Sequence, residues 1–303
     1  MRTSFVNVLI EQARLDDKIF LLTPDMGFSV FEPFIEKYPC RFLNTGIAEQ
    51  NTIGVAAGLS LSGFKPYVYS IAPFVLMRCY EQVRVDAAYM QTNIKIVGAG
   101  GGVAYGPAGA THHAVEDLAI ARALPGMIVC APADPIEARQ IFEQSLSVKP
   151  SMYIRLAKNN EPLIHDPGDK ITIGKAFVLT EGKDIEILAT GTITRRVMDW
   201  LPELKKQGLS AGVTVFHTIK PLDTDCLNVL IDFGKKILIV EEHNRIGGFG
   251  EGVCSYLAKQ NAANKVRHLA IPDVYSHYVG SQSFILNKFG LDAVPNIEEL
   301  FYC

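Results

Sequence analysis

Short apolar runs alternate with helix-like segments along this chain, and that alternation limits its fold more than any other feature. In the first half the apolar runs are residues 19–22, 41–43, 67–71, 94–97, 127–130 and 152–156. The segments between them are suited to helices, and a crossover that contains a helix is the usual way to join two parallel strands. The pattern therefore predicts an α/β fold with a mostly parallel sheet covered by helices on both faces.

A polar stretch separates this half from a smaller repeat of the same alternation. Residues 158–175 are rich in Pro, Gly, Asp and Asn, which is typical of a linker. Beyond it the apolar runs are residues 185–189, 213–216, 237–240 and 266–270. We therefore predict two domains, residues 1–165 and 166–303, each with a mostly parallel sheet flanked by helices; the length of 303 residues suits two domains.

Charge and cysteine content argue against several classes of protein. The formal net charge of -3 does not suit a nucleic-acid-binding surface. No apolar run approaches the ~18 residues needed to span a bilayer, and the N-terminal residues lack the apolar segment of a signal peptide. The six cysteines are scattered without a Cys-x-x-Cys pair or the spacing of metal ligands, which is typical of reduced intracellular thiols. We expect a cytoplasmic protein that binds neither nucleic acid nor membrane.

One carboxylate, Glu49, lies among small and apolar residues in the stretch 46–63. Asn44 and Thr45 are suited to cap a helix that begins there, and the residues after Glu49 are so apolar that the whole helix is predicted to be buried. A buried carboxylate either finds a partner or has a raised pKa. The simpler alternative is a helix-start Glu that interacts favourably with the helix dipole.

A glycine-rich loop and a histidine form a second candidate site. Six of the twelve residues from Gly98 to Gly109 are glycine, which allows backbone to approach a ligand closely, although mobility or tight packing explains such a loop equally well. No Lys-Ser/Thr follows Gly109, so it is not a phosphate loop. His112, just beyond it, is suited to shuttle a proton or donate a hydrogen bond, and the alternative is a solvent-facing histidine. A third glycine cluster, 247–252, is predicted to serve packing between a strand and a helix.

Several short motifs, in a fixed order, cover essentially the whole chain. They are Thr23-Pro24-Asp25, Gly46-Ile47-Ala48-Glu49-Gln50, Ala56-Ala57-Gly58-Leu59, Gly63-Phe64-Lys65-Pro66, Arg78-Cys79-Tyr80-Glu81-Gln82, Gly109-Ala110-Thr111-His112-His113, Ala131-Pro132-Ala133-Asp134, Lys220-Pro221-Leu222-Asp223, Glu241-Glu242-His243 and Gly247-Gly248-Phe249-Gly250. In this order and spacing the chain resembles the C-terminal two-thirds of transketolase and of 1-deoxyxylulose-5-phosphate synthase. Both are enzymes that use thiamine diphosphate.

The resemblance implies a pyrimidine-binding domain in residues 1–165, followed by the family's C-terminal domain, which packs at subunit interfaces and does not touch the cofactor. Glu49 matches the family's activating glutamate, whose buried carboxyl bonds a nitrogen of the cofactor's pyrimidine ring and so promotes proton removal from the cofactor. His112 matches a histidine that faces the substrate, and Asp25 matches an aspartate near the thiazolium ring.

The resemblance also implies an aromatic side chain that stacks on the pyrimidine ring. Phe74 is the candidate, although counting back from Glu81-Gln82 puts the stacking position at Val75, one residue away. Arg78 fits the pattern of the synthase better than that of transketolase, and we include it among the predicted cofactor-binding residues.

The substrate residues follow the family's pattern less completely. Arg2, Ser29 and Arg155 fall where transketolases hold the phosphate of the sugar substrate. The family's aspartate before Gly-x-Thr-His is replaced by Ala108, and an earlier histidine or arginine by a residue of Gly100-Gly101-Gly102. We therefore expect an emptier loop that suits a bulkier or non-phosphorylated acceptor.

The family's motif for the diphosphate and Mg²⁺, Gly-Asp-Gly with a later Asn, is missing. The only Gly-Asp, Gly168-Asp169, is followed by Lys170. The resemblance therefore implies the small subunit of a split transketolase, whose partner subunit holds Mg²⁺ and the diphosphate of a shared thiamine diphosphate, in a dimer of such pairs. The expected reaction transfers a two-carbon ketol unit from a ketose donor to an aldehyde acceptor.

Two other functions stay open on the sequence. One is the beta chain of a 2-oxo-acid dehydrogenase, or a decarboxylating enzyme similar to the synthase. The other is a catalytically silent partner or scaffold, against which the joint presence of Glu49, His112 and Arg155 argues.

Overall fold

The computed structural model describes residues 1–158 and 161–302, and in them the strands form two separate sheets. Twelve strands are described: β1 Ile19–Thr23, β2 Phe42–Asn44, β3 Lys65–Ile71, β4 Lys95–Ala99, β5 Ile128–Cys130, β6 Met152–Leu156, β7 Phe177–Thr180, β8 Ile185–Thr190, β9 Ala211–Val215, β10 Thr218–Lys220, β11 Lys236–Asn244 and β12 Val266–Ile271. Six of the seven strands in the larger sheet come from the first half of the chain.

Helices lie between the strands in both halves. The α-helices described are α1 Arg2–Ala13, α2 Glu32–Lys37, α3 Glu49–Leu61, α4 Tyr80–Gln82, α5 Asp117–Ala123, α6 Pro135–Ser145, α7 Ile193–Lys206, α8 Thr224–Phe233, α9 Phe249–Lys259, α10 Gln282–Lys288 and α11 Ile297–Tyr302. Two π-helical segments, Pro73–Met77 and Val83–Tyr89, flank α4. No helix in the described part of the chain is long and apolar enough to cross a bilayer.

The larger sheet has the strand order β10-β5-β6-β4-β3-β1-β2. Its six strands from the first half pair in parallel, and β10 pairs antiparallel with β5 at the edge. One face of this sheet packs against α1 and α6 through a cluster of buried aromatic rings that includes Phe5, Tyr67 and Phe142. Because parallel strands share one direction, their carboxyl ends all meet at a single edge, where ligand-facing groups usually gather.

The smaller sheet has the order β12-β11-β8-β9-β7, with β7 antiparallel at one edge. The apolar core on the second face of the larger sheet continues into this half of the chain: Val68 and Ile96 belong to the same buried cluster as Phe216 and Phe249. The two sheets are therefore joined by a continuous apolar core as well as by β10.

The predicted fold class is confirmed, as is the start of a helix at Glu49. The sequence pattern missed β7, β10, α8, α10 and α11. The predicted helix cap is wrong: Ala48 precedes the helix without a side-chain cap, and the Asn44 side chain instead accepts from the backbone N–H groups of Asp25 and Gly46. The predicted burial of the whole helix is also wrong, because Leu61 is 65% exposed and Gly54 and Gly58 face open space.

Candidate active site

Four segments that carry predicted site residues leave the larger sheet at the same edge. Strands β4, β3, β1 and β2 lie side by side in parallel, so the chain emerges from each of them at its carboxyl end. Asp25 follows β1, Glu49 follows β2, Phe74 follows β3, and the loop that leads to His112 follows β4. The topology therefore gathers residues that are far apart in the sequence.

Glu49 is buried, and it has found a partner. Its side chain is 4% exposed, and Nη1 of Arg78 donates to both of its carboxylate oxygens at 2.9 Å. The Arg78 side chain is 41% exposed, so water reaches one side of this ion pair. The guanidinium also lies over the ring of Phe74, with its central carbon 4.3 Å from the ring centre.

The π-helical turn after β3 decides which residue faces this site. The N–H of Arg78 bonds to the carbonyl of Pro73, five residues back, so this turn holds one residue more than an α-helical turn. Val75 is fully buried in the core, whereas Phe74 is partly exposed and contacts Arg78. Counting back along a regular helix points to Val75 because it misses the extra residue.

His112 lies between two aromatic rings. Its ring centre is 5.2 Å from that of Phe74 and 6.3 Å from that of Tyr105, in edge-to-face arrangements. Its Nδ1 is 3.0 Å from the hydroxyl oxygen of Thr111. Glu49, Arg78, Phe74, His112 and Tyr105 thus form one row of contacting side chains along the sheet edge.

Asp25 is held in a left-handed backbone conformation at the end of β1, with φ of 55°. Asn44 fixes it there: Asp25 N–H donates to Asn44 Oδ1 at 2.9 Å, and Asn44 Nδ2 donates to Asp25 Oδ1 at 3.2 Å. Ser29 also has a positive φ, of 60°, and it is exposed, with its N–H bonded to Glu32 Oε1. Neither residue shares a described hydrogen bond with Glu49 or His112.

Arg155 points into the protein. It is 8% exposed, its Nη2 donates to the carbonyls of Ala114 (3.1 Å) and Glu242 (2.7 Å), and its Nε lies 3.4 Å from Asp117 Oδ2. Tyr153 donates to the same Asp117 oxygen at 2.7 Å. These contacts join the two halves of the chain, and they argue against phosphate binding by Arg155.

The glycine-rich loop is covered by the protein's own side chains, so the expectation of an emptier loop is wrong. A Cβ on Gly100 would lie 2.0 Å from the Tyr105 ring, and one on Gly101 would lie 2.0 Å from Arg155 Nε. A Cβ on Gly102 would lie 2.3 Å from Glu242 Oε1. Each glycine therefore makes room for a particular side chain, and this loop is a packed structure.

Two cations face the far end of the row from Glu49. Nζ of Lys158 lies 5.0 Å from the ring centre of Tyr105. Arg2 forms a hydrogen bond with the hydroxyl of Tyr69, and its charge opposes the effect of burial, which raises the pKa of Tyr105. Within residues 1–158 and 161–302 neither cation forms an ion pair within 4 Å. A nearby carboxylate, Glu161, pairs with the N-terminal ammonium at 2.8 Å.

Sequence reasoning missed Lys158, although a signal was present. Lys158 lies just beyond β6, at the carboxyl end of a parallel strand, which is the position where ligand-facing side chains gather. Among the residues that the structure describes, no three His, Cys, Asp or Glu side chains are grouped as metal ligands.

Comparisons with known proteins agree with this arrangement. A family model described as "Transketolase, pyrimidine binding domain" matches residues 1–162, and one described as "Transketolase, C-terminal domain" matches residues 174–294. One of the two subunits of an apulose-4-phosphate transketolase from Phocaeicola vulgatus is 36% identical over 293 residues, which cover 96% of this chain and 93% of that protein. A 6-deoxy-6-sulfo-D-fructose transketolase subunit from Clostridium sp. is 35% identical over 294 residues, covering 97% and 91%.

A solved structure resembles the chain along nearly its whole length. It is described as "Split gene transketolase, inactive beta4 tetramer", with a TM-score of 0.89 and 32% sequence identity. The match covers 99% of this chain and 97% of that one.

Proposed function

The chain belongs to the transketolase family, and we propose that it is the small subunit of a split transketolase. The pair transfers a two-carbon ketol unit from a ketose donor to an aldehyde acceptor. The names of its relatives support the division into subunits, because both are named as a subunit of a transketolase. We propose residues 1–165 as the pyrimidine-binding domain and 166–303 as the C-terminal domain, in a cytoplasmic enzyme.

The observation that carries this proposal is the contact of Glu49, Arg78 and Phe74. Here a buried carboxylate and an aromatic face together hold a flat, cationic group that donates N–H bonds. A protonated aminopyrimidine ring has the same properties, so these residues fit the pyrimidine of thiamine diphosphate. When bound, thiamine diphosphate supplies the nucleophilic carbon that takes up the ketol unit. Glu49 holds a proton at the ring nitrogen, and Phe74 and Arg78 orient the ring.

His112 exchanges a proton with the substrate. It touches Phe74 on one side and Tyr105 on the other, so it lies between the proposed cofactor end and the cationic end of the row. An imidazole can both give and take a proton near neutral pH, as the transfer of a ketol unit requires at the sugar hydroxyl and carbonyl oxygens. Asp25, held by Asn44, contributes a carboxylate on the neighbouring strand end.

The distal end of the substrate is anionic and faces Arg2 and Lys158. Two cations that have no carboxylate partner among the described residues, beside a tyrosine ring, suit a phosphate or a sulfonate, and the names of the two relatives contain one group each. Ser29, exposed on the loop after β1, adds a hydroxyl to this end. Arg155 serves this site indirectly, because its guanidinium holds the backbone of the loop that carries His112.

A partner subunit completes the active site by holding Mg²⁺ and the diphosphate. The chain lacks the Gly-Asp-Gly motif, and its described residues contain no group of metal ligands. We propose a dimer of such pairs. The solved structure that resembles this chain is described as an inactive tetramer of beta chains, which is consistent with a need for a second kind of subunit.

The test is reconstitution with the separately encoded partner. The wild-type pair should transfer ketol units between sugars, and the pair containing Glu49→Gln should assemble equally but turn over at least ~100-fold more slowly, since it lacks the carboxylate that activates the cofactor. Unchanged turnover in the variant would sink the assignment of Glu49. Tight thiamine diphosphate binding by this chain alone, measured by calorimetry with Mg²⁺, would contradict a shared site. Release of CO₂ from 2-oxo acids would favour a decarboxylating enzyme instead.

A further inference from the structure

The carboxylate of Glu242, at the end of β11 in the second half of the chain, reaches across to the glycine-rich loop of the first half. Its Oε1 accepts from the backbone N–H of Val103 at 2.7 Å. Nε2 of Gln282 donates to both of its oxygens, at 2.9 and 2.8 Å. Glu242 is 5% exposed, so this is a buried carboxylate that is satisfied by three hydrogen bonds.

The loop that carries Tyr105 and His112 is closed at its base. Gly102 and Ala114 exchange two backbone hydrogen bonds, of 3.0 and 2.8 Å, so the residues between them form one unit. Residues 102 and 103 lie directly at this base, where Glu242 binds. Gly102 has φ of 63°, and the lack of a side chain there lets the Glu242 carboxylate lie against its backbone.

Strand β11 holds the other end of the same loop. The N–H of Asn244 donates to the carbonyl of Val115 at 2.7 Å. Arg155 Nη2 donates to the carbonyl of Ala114 and to the backbone carbonyl of Glu242 itself. Both ends of the loop are therefore anchored to two residues of one strand, and that strand belongs to the C-terminal half.

We propose that Glu242 is a positioning residue for substrate binding: from the C-terminal half it fixes the loop that places His112 and Tyr105. The inference rests on the proposed function for the role of His112. It assigns to the C-terminal half an active-site task, in place of the expectation that this half only packs at subunit interfaces. The carboxylate acts through Val103 and Gly102, and it does not touch the substrate.

The neighbouring residue, Glu241, provides a matched control. It is also a fully buried carboxylate on β11, and it accepts from the N–H groups of Phe249 and Gly250 at 2.8 Å and contacts His268 Nε2 at 2.8 Å. All three hydrogen-bond partners lie in the C-terminal half. Removing either carboxylate leaves buried donors unpaired and costs stability, but only Glu242 leads to the loop.

The first experiment uses the full chain without its partner. Histidine-labelled protein gives NMR signals from the His112 ring, which His112→Gln identifies, and hydrogen exchange reports on residues 102–114. In Glu242→Ala we expect shifted His112 signals and exchange in the loop that is faster by about tenfold or more, since a bond worth about 1.4 kcal/mol is lost. In Glu241→Ala we expect both to stay as in the wild type. Equal effects in the two variants, or no effect in Glu242→Ala, would overturn the proposal.

A charge swap keeps the test decisive if Glu242→Ala does not fold. Glu242→Gln places an amide opposite the amide of Gln282, whereas the double variant Glu242→Gln/Gln282→Glu restores a complementary pair and keeps an acceptor for Val103. In the reconstituted enzyme we expect Glu242→Gln to lower kcat/KM for the sugar about tenfold, with an unchanged affinity for thiamine diphosphate, and the double variant to recover most of the loss. Failure of the double variant to recover, or a parallel loss of cofactor affinity, would count against positioning. If the wild-type pair transfers no ketol unit, the proposed function fails, while the NMR experiment still decides whether Glu242 positions the loop.

Discussion

Nη1 of Arg78 lies 2.9 Å from both carboxylate oxygens of Glu49, and these two residues are 29 positions apart in the sequence. The carboxylate is buried, whereas 41% of the arginine side chain is exposed. A buried carboxylate thus keeps its charge because a cation at the surface covers it. The pair lies at the point where β2 and β3 deliver their chains to the same edge of the sheet.

Arg78→Ala should destabilise the protein more than loss of an ordinary surface ion pair. The change leaves Glu49 buried without a partner, which costs more than the pair itself contributes. Because water reaches one side of the pair, we expect about 1–2 kcal/mol, or a decrease in Tm of roughly 2–6 °C for a chain of this size. Differential scanning calorimetry measures the decrease.

The matched variants for this pair are Glu49→Gln and the double change. Glu49→Gln removes the buried charge, so Arg78→Ala should cost clearly less in that background than in the wild type. If the two changes are simply additive, the ion pair does not stabilise the fold.

The contact between Arg78 and Glu49 illustrates what the sequence predicts and what it does not. Alternation of apolar runs predicts the parallel sheet, and parallel strands bring Glu49, Phe74 and His112 to one edge whatever their exact contacts. The partner of Glu49 depends on a π-helical turn after β3, and nothing in the periodicity of residues 74–89 reveals an extra residue in that turn.

Burial of α3 was predicted incorrectly for a related reason. An apolar pattern records which side chains avoid water, not whether this chain itself covers them. Ile53 and Ala56 are fully buried, whereas Leu61, on another side of the same helix, is 65% exposed. The glycine-rich loop was misjudged because its covering side chains, Arg155 and Glu242, come from far along the chain, and one sequence does not reveal such distant contacts.

Lys158 and Arg155 should differ in what their loss affects. Lys158→Met removes a cation that faces Tyr105 at the proposed anionic end, so kcat/KM for a phosphorylated or sulfonated sugar should fall about tenfold to a hundredfold, the effect of losing one charge-assisted hydrogen bond. An uncharged sugar should be affected much less. Steady-state kinetics of the reconstituted pair with both kinds of sugar measures the difference.

Arg155→Met is the comparison for that experiment. It leaves Asp117, which is fully buried, without its cation and frees two buried carbonyls, so Tm should fall strongly, by the equivalent of about 3 kcal/mol. A variant that stays as stable as the wild type yet loses selectivity for anionic sugars would restore the original prediction that Arg155 binds the phosphate.

A buried histidine makes the linker sensitive to pH. His165 is 3% exposed, with Nε2 at 2.8 Å from Glu137 Oε1 and Nδ1 at 3.3 Å from Asp169 Oδ2. Burial alone would lower its pKa, but the hydrogen bond and charge of Glu137 outweigh burial, and the pKa of His165 is raised. Its stabilising effect is therefore fully present below the pKa of about 6.5 of an unfolded histidine and is lost as pH rises through the raised value.

His165→Gln should flatten this dependence. The difference in Tm between the wild type and the variant should be largest near about pH 5.5 and shrink toward about pH 8.5. Calorimetric scans across that range measure it. A difference that grows with pH would show that His165 is held in its neutral form. His277→Gln, at an exposed histidine, controls for a general effect of losing one titrating group.

Gly100→Ala should disturb the row of side chains at the active site as well as the backbone. Gly100 has φ of 78°, and its new Cβ would lie 2.0 Å from the Tyr105 ring. Gly126 has nearly the same φ, 73°, but no atom within 4 Å of the position of a Cβ. Each alanine costs about 1–2 kcal/mol for a left-handed backbone, but only Gly100→Ala must also move Tyr105, which touches His112. We therefore expect similar decreases in Tm from the two backbones, a further decrease in Gly100→Ala, and a shift of the His112 NMR signals in that variant alone. Identical spectra for the two variants would mean that Tyr105 gives way without affecting His112, and that the packing over Gly100 does not help to place the histidine.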